Sequence, residues 1–208
     1  MKLLPCGDAA LLAELDDLAA VLALAAAIDA ERDGGALADV LDVVPGSRTV
    51  LVRCRPREGV LSRIAERLTE LDVTDPASGE GPHVEIEVSY DGPDLTDVAR
   101  ITGLSEDEVV RLHTGTDWTV AFTGFLPGFG YLVGGDERLV VPRRDEARTS
   151  VPAGSVGLAG EFTGAYPRES PGGWQLIGRT QARLWDPDRE PPALLAPGTR
   201  VTFVRVEP

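Results

Sequence analysis

The stretch Trp118-Thr119-Val120-Ala121-Phe122-Thr123-Gly124-Phe125-Leu126-Pro127-Gly128-Phe129-Gly130-Tyr131-Leu132 decides how this chain is read. Trp118, Val120 and Phe122 alternate with smaller neighbours, the period of a strand with one buried face. Pro127-Gly128 favours a tight turn, and Phe125, Phe129 and Tyr131 either line a pocket or plug the end of a barrel. It is not a dinucleotide fingerprint, because residue 133 is valine where the spacing needs glycine or alanine. From Ala121 to Thr180 no run looks helical. Short strands are separated by glycine and proline turns, a pattern that predicts a closed or sandwiched β structure.

Toward the N-terminus the pattern changes. Val84, Ile86 and Val88 alternate with Glu85 and Glu87 as a half-exposed strand. Asp94 is placed to cap a short helix, and Ser105 with Glu108 forms a capping box for the next, with Leu104 as its staple. Asp75-Pro76-Ala77-Ser78-Gly79-Glu80-Gly81-Pro82 reads as a linker. Before it, Asp16 or Asp17 caps a helix to about Asp29, ended by Asp33-Gly34-Gly35. Val40–Val44 and Val50–Cys54 read as strands. Leu61, Ile64, Ala65, Leu68 and Leu71 recur at helical spacing. This half is a small α+β domain with two helices on an antiparallel sheet.

Composition narrows the chemistry. The 208 residues carry 34 acids against 20 bases, a formal charge of −14, and the only lysine is Lys2. Without Gly-Lys-Ser/Thr there is no Walker A loop. A Schiff-base enzyme, a biotin carrier and a Ser-Lys hydrolase each need a lysine, and Lys2 is expected at a mobile terminus. Two histidines make a multi-histidine metal site improbable, so no metal is assigned. The negative charge disfavours nucleic acid. The apolar run Leu18–Ile28 is too short to span a bilayer. Cys6 and Cys54 form no disulfide framework, and a cytoplasmic setting is expected. Residues 121–180 differ from the rest: they hold 12 of the 23 glycines and balance six acids with six arginines. A neutral, glycine-dense segment lets backbone approach a ligand or partner closely.

Three strings in this segment supply the candidate site. From Gly124–Leu132 come Pro127, Gly128, Phe129 and Tyr131. From Val151–Gly160 come Pro152, Gly154 and Ser155, the last as hydrogen-bond donor or nucleophile. From Ser170–Thr180 come Ser170, Gly172, Gly173 and Trp174, whose indole either stacks on a substrate or anchors the loop. Arg148 and Tyr166 lie between the strings. Arg179 either clamps a carboxylate or phosphate or pairs with Glu161, Glu169 or Asp186. His113, ending the capped helix, is either a dipole partner or an acid–base catalyst. His113, Ser155 and Arg179 are the catalytic candidates. His83 is expected at the surface.

The three strings, in this order, resemble the family of the bacterial 5-oxoprolinase B subunit, also called KipI, a sporulation-kinase inhibitor, and allophanate hydrolase subunit one. It also occurs as half of the carboxyltransferase domain in urea carboxylase. Gly7-Asp8-Ala9-Ala10-Leu11, Val44-Pro45, Thr49–Val52, Asp91-Gly92-Pro93-Asp94-Leu95, Leu112-His113 and Leu194–Gly198 match further landmarks, so the resemblance covers essentially the whole chain. It implies an α+β fold class: a small N-terminal ferredoxin-like α/β sandwich domain (residues 1–82) followed by a C-terminal cyclophilin-like β-barrel (residues 83–208). It implies a lactam or amide substrate, ATP bound by the complex, and the C and A subunits of 5-oxoprolinase as partners. It also leaves open a kinase-inhibitor role and carboxyl transfer to a urea-like amide. The chain departs from the family at Phe162, usually glutamine, at Gly130, more often alanine or proline, and at Ala147, usually proline. From this reading, Arg179→Ala and Trp174→Ala are expected to lower the activity of the complex without unfolding the chain.

Overall fold

The computed structural model describes residues 1–71 and 81–207. They belong to two compact units, Met1–Gly79 and Glu80–Pro208. Most of the expected linker, Asp75 to Glu80, lies outside the described residues. Gly81 and Pro82 run with the second unit, where the Pro82 carbonyl accepts the Arg200 N–H at 2.8 Å.

The first unit contains β1 (Lys2–Pro5), β2 (Ala10–Glu14), α1 (Leu18–Asp33), β3 (Val40–Pro45), β4 (Thr49–Cys54) and α2 (Val60–Glu70). Its antiparallel sheet has the order β1-β2-β4-β3. This is the ferredoxin-like plan with the N-terminal strand β1 in the edge position that a C-terminal strand takes in the β-α-β-β-α-β order. Lys2 is therefore not at a loose end but sits in β1 opposite Glu14. The Asp17 carboxylate caps α1 by accepting the Ala20 N–H at 2.8 Å. The helix runs to Asp33, past the expected end, until Gly34 stops it. α2 buries Val60, Ile64 and Leu68, spaced by four; of the expected face Ile64 and Leu68 are buried, Leu61, Ala65 and Leu71 are partly buried, and Val60 is added. These meet Val21, Leu24 and Ile28 of α1 and Leu11, Val50 and Val52 of the sheet in one core. Each such side chain contributes about 1.5–3 kcal/mol on burial.

The second unit contains β5 (His83–Val88), α3 (Leu95–Thr102), α4 (Glu106–Thr114), β6 (Trp118–Thr123), β7 (Gly130–Val133), β8 (Arg148–Val151), β9 (Ser155–Ala159), β10 (Phe162–Ala165), β11 (Ser170–Gly172), β12 (Gln175–Arg179) and β13 (Arg200–Arg205). Between Ala121 and Thr180 the only helical piece among the described residues is a 3-10 turn at Glu137–Leu139. Seven strands form one sheet in the order β12-β9-β10-β7-β6-β13-β5, and β8 pairs with β11 as a separate ribbon. The two edges of the large sheet meet. Ser89, just after β5, and Arg179, at the end of β12, exchange N–H···O bonds of 2.9 Å in both directions. The seam continues from the Gly92 N–H to the Ile177 carbonyl (3.2 Å) and from the Asp94 N–H to the Leu176 carbonyl (2.9 Å). These bonds nearly close the sheet into a barrel, so the closed alternative of the sequence reading holds. The capping box on α4 is present in both directions, and Leu104 packs against the core that contains Val109.

Candidate functional site

The seam delivers Asp94 to the interior. Asp94 stands at the N-cap of α3, as expected, yet its side chain makes no capping bond. Both oxygens are used elsewhere, and the residue is 2% exposed. Oδ2 accepts the Leu176 N–H at 2.7 Å. Oδ1 accepts from Arg144 Nη1 and from Arg148 Nη2, each at 2.7 Å. These are charge-assisted bonds, stronger than neutral ones. They tie the start of α3 to β12 and to the segment entering β8, across 50, 54 and 82 residues of sequence.

The backbone around this node is held in the same way. The Arg144 N–H donates to the Gly173 carbonyl at 2.8 Å, and Gln175 Nε2 donates to the Pro142 carbonyl at 3.2 Å. Arg148 lies opposite Gly172 in the β8–β11 ribbon. A Cβ at Gly172 would lie 2.5 Å from Tyr166 Oη, so glycine is what lets that ring approach. Tyr166 belongs to an aromatic cluster. Phe129 meets it edge-on at 5.1 Å between centroids and meets Trp174 at 5.3 Å, while Tyr131 meets Trp174 at 5.6 Å. Phe125 joins from the surface, edge-on to Phe129. Its φ of +65° is left-handed backbone, uncommon for a bulky residue, and the residue is 57% exposed. Burial raises the Tyr131 and Tyr166 phenols, and the nearby Arg143 guanidinium opposes that rise at both. Arg143 is exposed and makes no ion pair among the described residues.

The first string, Arg148, Tyr166 and the start of the third string therefore come together. Trp174 is buried in that cluster, which selects its anchoring role. The second string borders it. Gly154 has φ +80°, donates to the Tyr166 carbonyl at 2.7 Å, and would drive a Cβ into the Thr180 carbonyl. Gly128 lies against Trp185, whereas Pro127 and Pro152 are exposed. Ser170 is buried at the start of β11. Phe162, the departure from the usual glutamine, packs edge-on against Phe122 and Tyr131 and forms one wall of the cluster.

His113 is corrected on both of its readings. It is fully buried, packed between Trp118 and Phe203. Nδ1 lies 2.7 Å from the Tyr90 hydroxyl, and Nε2 lies 2.8 Å from Thr163 Oγ1. Thr163 itself donates to the Gly157 carbonyl at 3.1 Å. A hydroxyl has one proton to give, so Nε2 carries the imidazole proton and Nδ1 accepts from Tyr90. Burial pushes the imidazole pKa down to about 3. A neutral ring with no exposed surface is neither a dipole partner nor a base within reach of a substrate.

Ser155 is buried in β9 and has no histidine beside it, because His113 is engaged as described and His83 Nε2 faces Thr202 Oγ1 at 2.9 Å. A serine without a base is not an activated nucleophile. His83 is at the surface, as expected. Arg179 is exposed and pairs with Asp91 at 2.8 Å, not with any of the three expected acids. Sequence reasoning missed Arg144 and the role of Asp94. The signal, two arginines four apart at the entry to β8, was masked by Asp145 and Glu146 between them, which offer a local partner that the structure does not use.

Among the described residues no three metal-ligating side chains come together, and no helix is long and apolar enough to cross a membrane. A closed, glycine-rich barrel with an aspartate-held arginine pair beside an aromatic cluster, in one chain with a ferredoxin-like unit, defines the class. The chain belongs to the family "Carboxyltransferase domain, subdomain C and D", whose model matches residues 1–195. The 5-oxoprolinase B subunit of Escherichia coli O157:H7 is 45% identical over 170 residues, 80% of this chain and 78% of that protein. The protein of the same name from Bacillus subtilis (strain 168) is 46% identical over 154 residues, 73% of this chain and 63% of that one. The crystal structure of TTHA0988 superposes with a TM-score of 0.78 at 35% identity over 96% of this chain, which spans 40% of that longer chain. The urea carboxylase of Kluyveromyces lactis, 19% identical, shares the fold, with a TM-score of 0.76 over 98% of this chain and 21% of its own.

Proposed function

We propose that this chain is the B component of an ATP-dependent 5-oxoprolinase that opens 5-oxo-L-proline to L-glutamate together with the A and C subunits. The observation that carries this reading is the 45% identity, over most of both chains, to a 5-oxoprolinase B subunit. The site supports it. A lactam resists hydrolysis because its amide is resonance-stabilised. ATP supplies the activation by phosphorylating the carbonyl oxygen. That step needs fixed donors around developing negative charge. Arg148, Arg143 and the glycine loops of the first and third strings provide such donors on this chain, with the partly buried Tyr131 and the exposed Phe125 beside the place where a small ring would sit, on a floor anchored by Phe129, Tyr166 and Trp174. Ser170, Gly172 and Gly173 border it. No lysine and no accessible histidine stands in the barrel beside these donors, so the remaining catalytic groups belong to the other subunits. ATP use is a property of the complex.

The test is ATP-dependent glutamate formation from 5-oxoproline by the combined A, B and C subunits. The expected result is loss of activity when this chain is left out, and unchanged activity would overturn the reading. Carboxyl transfer to a urea-like amide is the second reading, favoured by the family description. It requires a biotin carrier on another chain. Biotin-dependent carboxylation of urea by the same complex, without glutamate formation, would select it.

A further inference from the structure

The ion cluster around Asp94 has more positive than negative charge. One carboxylate faces two guanidiniums, and no second acid lies within 4.0 Å of either arginine among the described residues. Arginine does not shed its proton to relieve an excess. The excess is partly shielded from water, since the Arg144 and Arg148 side chains are 33% and 23% exposed. Buried charge of one sign normally finds a counter-charge. Each guanidinium has turned one Nη to Asp94, which fixes its plane and leaves its other Nη free of that bond. Polar satisfaction is also incomplete here. Arg144 Nε, Arg148 Nη1, Ser170 Oγ and Gln175 Oε1 are buried with no partner. All four belong to the segments already strapped together, Arg144–Arg148 and Ser170–Gln175. Native proteins complete nearly all such atoms with protein, ordered water or a ligand, and these four lie on the same two segments as the unbalanced charge.

We propose that Arg144 and Arg148 form a clamp for an oxyanion, a carboxylate or a phosphate group, and that Asp94 is the positioning residue that aims them. This deepens the reading of the previous subsection, on which it rests, by naming the part of the substrate that this chain holds. 5-Oxoproline offers a ring carboxylate, and ATP offers phosphate. Both oxyanions accept the forked N–H donors of arginine. The Ser170–Gly173 loop borders the clamp, and the aromatic cluster lies beside it.

The test is calorimetric titration of the full chain with four probes: 5-oxoproline, 2-pyrrolidinone (the same lactam without its carboxylate), inorganic phosphate and ATP. Binding of 5-oxoproline without 2-pyrrolidinone identifies the carboxylate as the ligand. Binding of phosphate and ATP without 5-oxoproline identifies the phosphoryl group. Arg144→Gln and Arg148→Gln are each expected to weaken binding at least tenfold. Arg148→Lys, which keeps the charge but loses the fork, replaces Arg148→Gln if thermal unfolding shows that the latter does not fold. Asp94→Asn separates positioning from charge. It makes the cluster more positive, so an electrostatic role alone predicts tighter binding, whereas positioning predicts a loss of tenfold or more that Asp94→Glu partly restores. No heat with any of the oxyanions at 10 mM, on the order of the weakest affinities of interest, would overturn the proposal. So would equal binding by wild type and both folded arginine variants. If oxyanion binding depends on the arginines while the mixture of the other subunits makes glutamate without this chain, the clamp stands and the subunit reading fails. If the mixture needs this chain but binding ignores the arginines, the reverse holds.

Discussion

Among the polar residues buried in the barrel unit, His113 and Asp94 are treated in opposite ways. Around His113 the Tyr90 hydroxyl donates to Nδ1, Nε2–H donates to Thr163, and Thr163 donates to the Gly157 carbonyl. The chain of donors ends on an acceptor and nothing is left over. Around Asp94 the acceptor is filled three times while donors remain on both arginines. A closed network specifies structure. A network with spare donors and excess charge is held for a ligand. The residue type that looked catalytic in the sequence, a histidine, falls in the first class, and the residue that looked like a helix cap falls in the second.

The strongest way to break this contrast is Asp94→Ala. It would leave two half-buried guanidiniums without their carboxylate and the Leu176 N–H without its acceptor, at a cost of about 3–5 kcal/mol. Urea unfolding measures it, and a loss below about 1 kcal/mol would mean that water already satisfies the cluster. Trp174→Ala tests the aromatic floor beside it. Trp174 is 4% exposed and meets Phe129, Tyr131 and Tyr166, so truncation should cost about 3–5 kcal/mol. The sequence expectation that this variant keeps its stability is thereby revised, and the same unfolding experiment decides.

The closed network has a pH signature. The His113 pKa is lowered by burial to about 3, below the ordinary 6.5. As pH falls below 6.5 the unfolded chain takes up a proton that the folded chain refuses, so stability falls toward acid. Between pH 7 and pH 5 this amounts to about 2 kcal/mol. Comparing His113→Gln with wild type across that range isolates it, because the variant should lack this part of the slope. The same variant should leave the activity of the assembled complex within about twofold at pH 7.5, the outcome for a residue that touches no substrate. The smallest effect is expected at the surface. Arg179→Ala removes an exposed ion pair with Asp91 and should change stability by less than about 1 kcal/mol. A loss of complex activity in that folded variant would then report function and not packing.

Much of this was legible because it is local. Asp17 at the start of α1, the box of Ser105 and Glu108, and the spacing of Ile64 and Leu68 concern residues within one or two turns of each other. Alternation at Trp118, Val120 and Phe122 named a strand without naming its neighbours. What was illegible is non-local. β1 was missed because four residues at the N-terminus carry no period, and only pairing with β2 makes them a strand. Arg179 was offered three acids and took a fourth, Asp91, because the seam sets Ser89 against Arg179 and carries Asp91 alongside.

By itself the sequence determined the α+β class, the change of character at the linker, the glycine-dense neutral segment and the family. All follow from composition, short-range period and motif strings. Tertiary structure decided which polar residues are buried and what they face. Asp94 and Arg144 are 50 residues apart, and no propensity acts over that distance. Only closure of the barrel brings them to 2.7 Å, and only in that crowded, partly shielded place does the difference between a filled and an unfilled hydrogen-bond network become a difference in role.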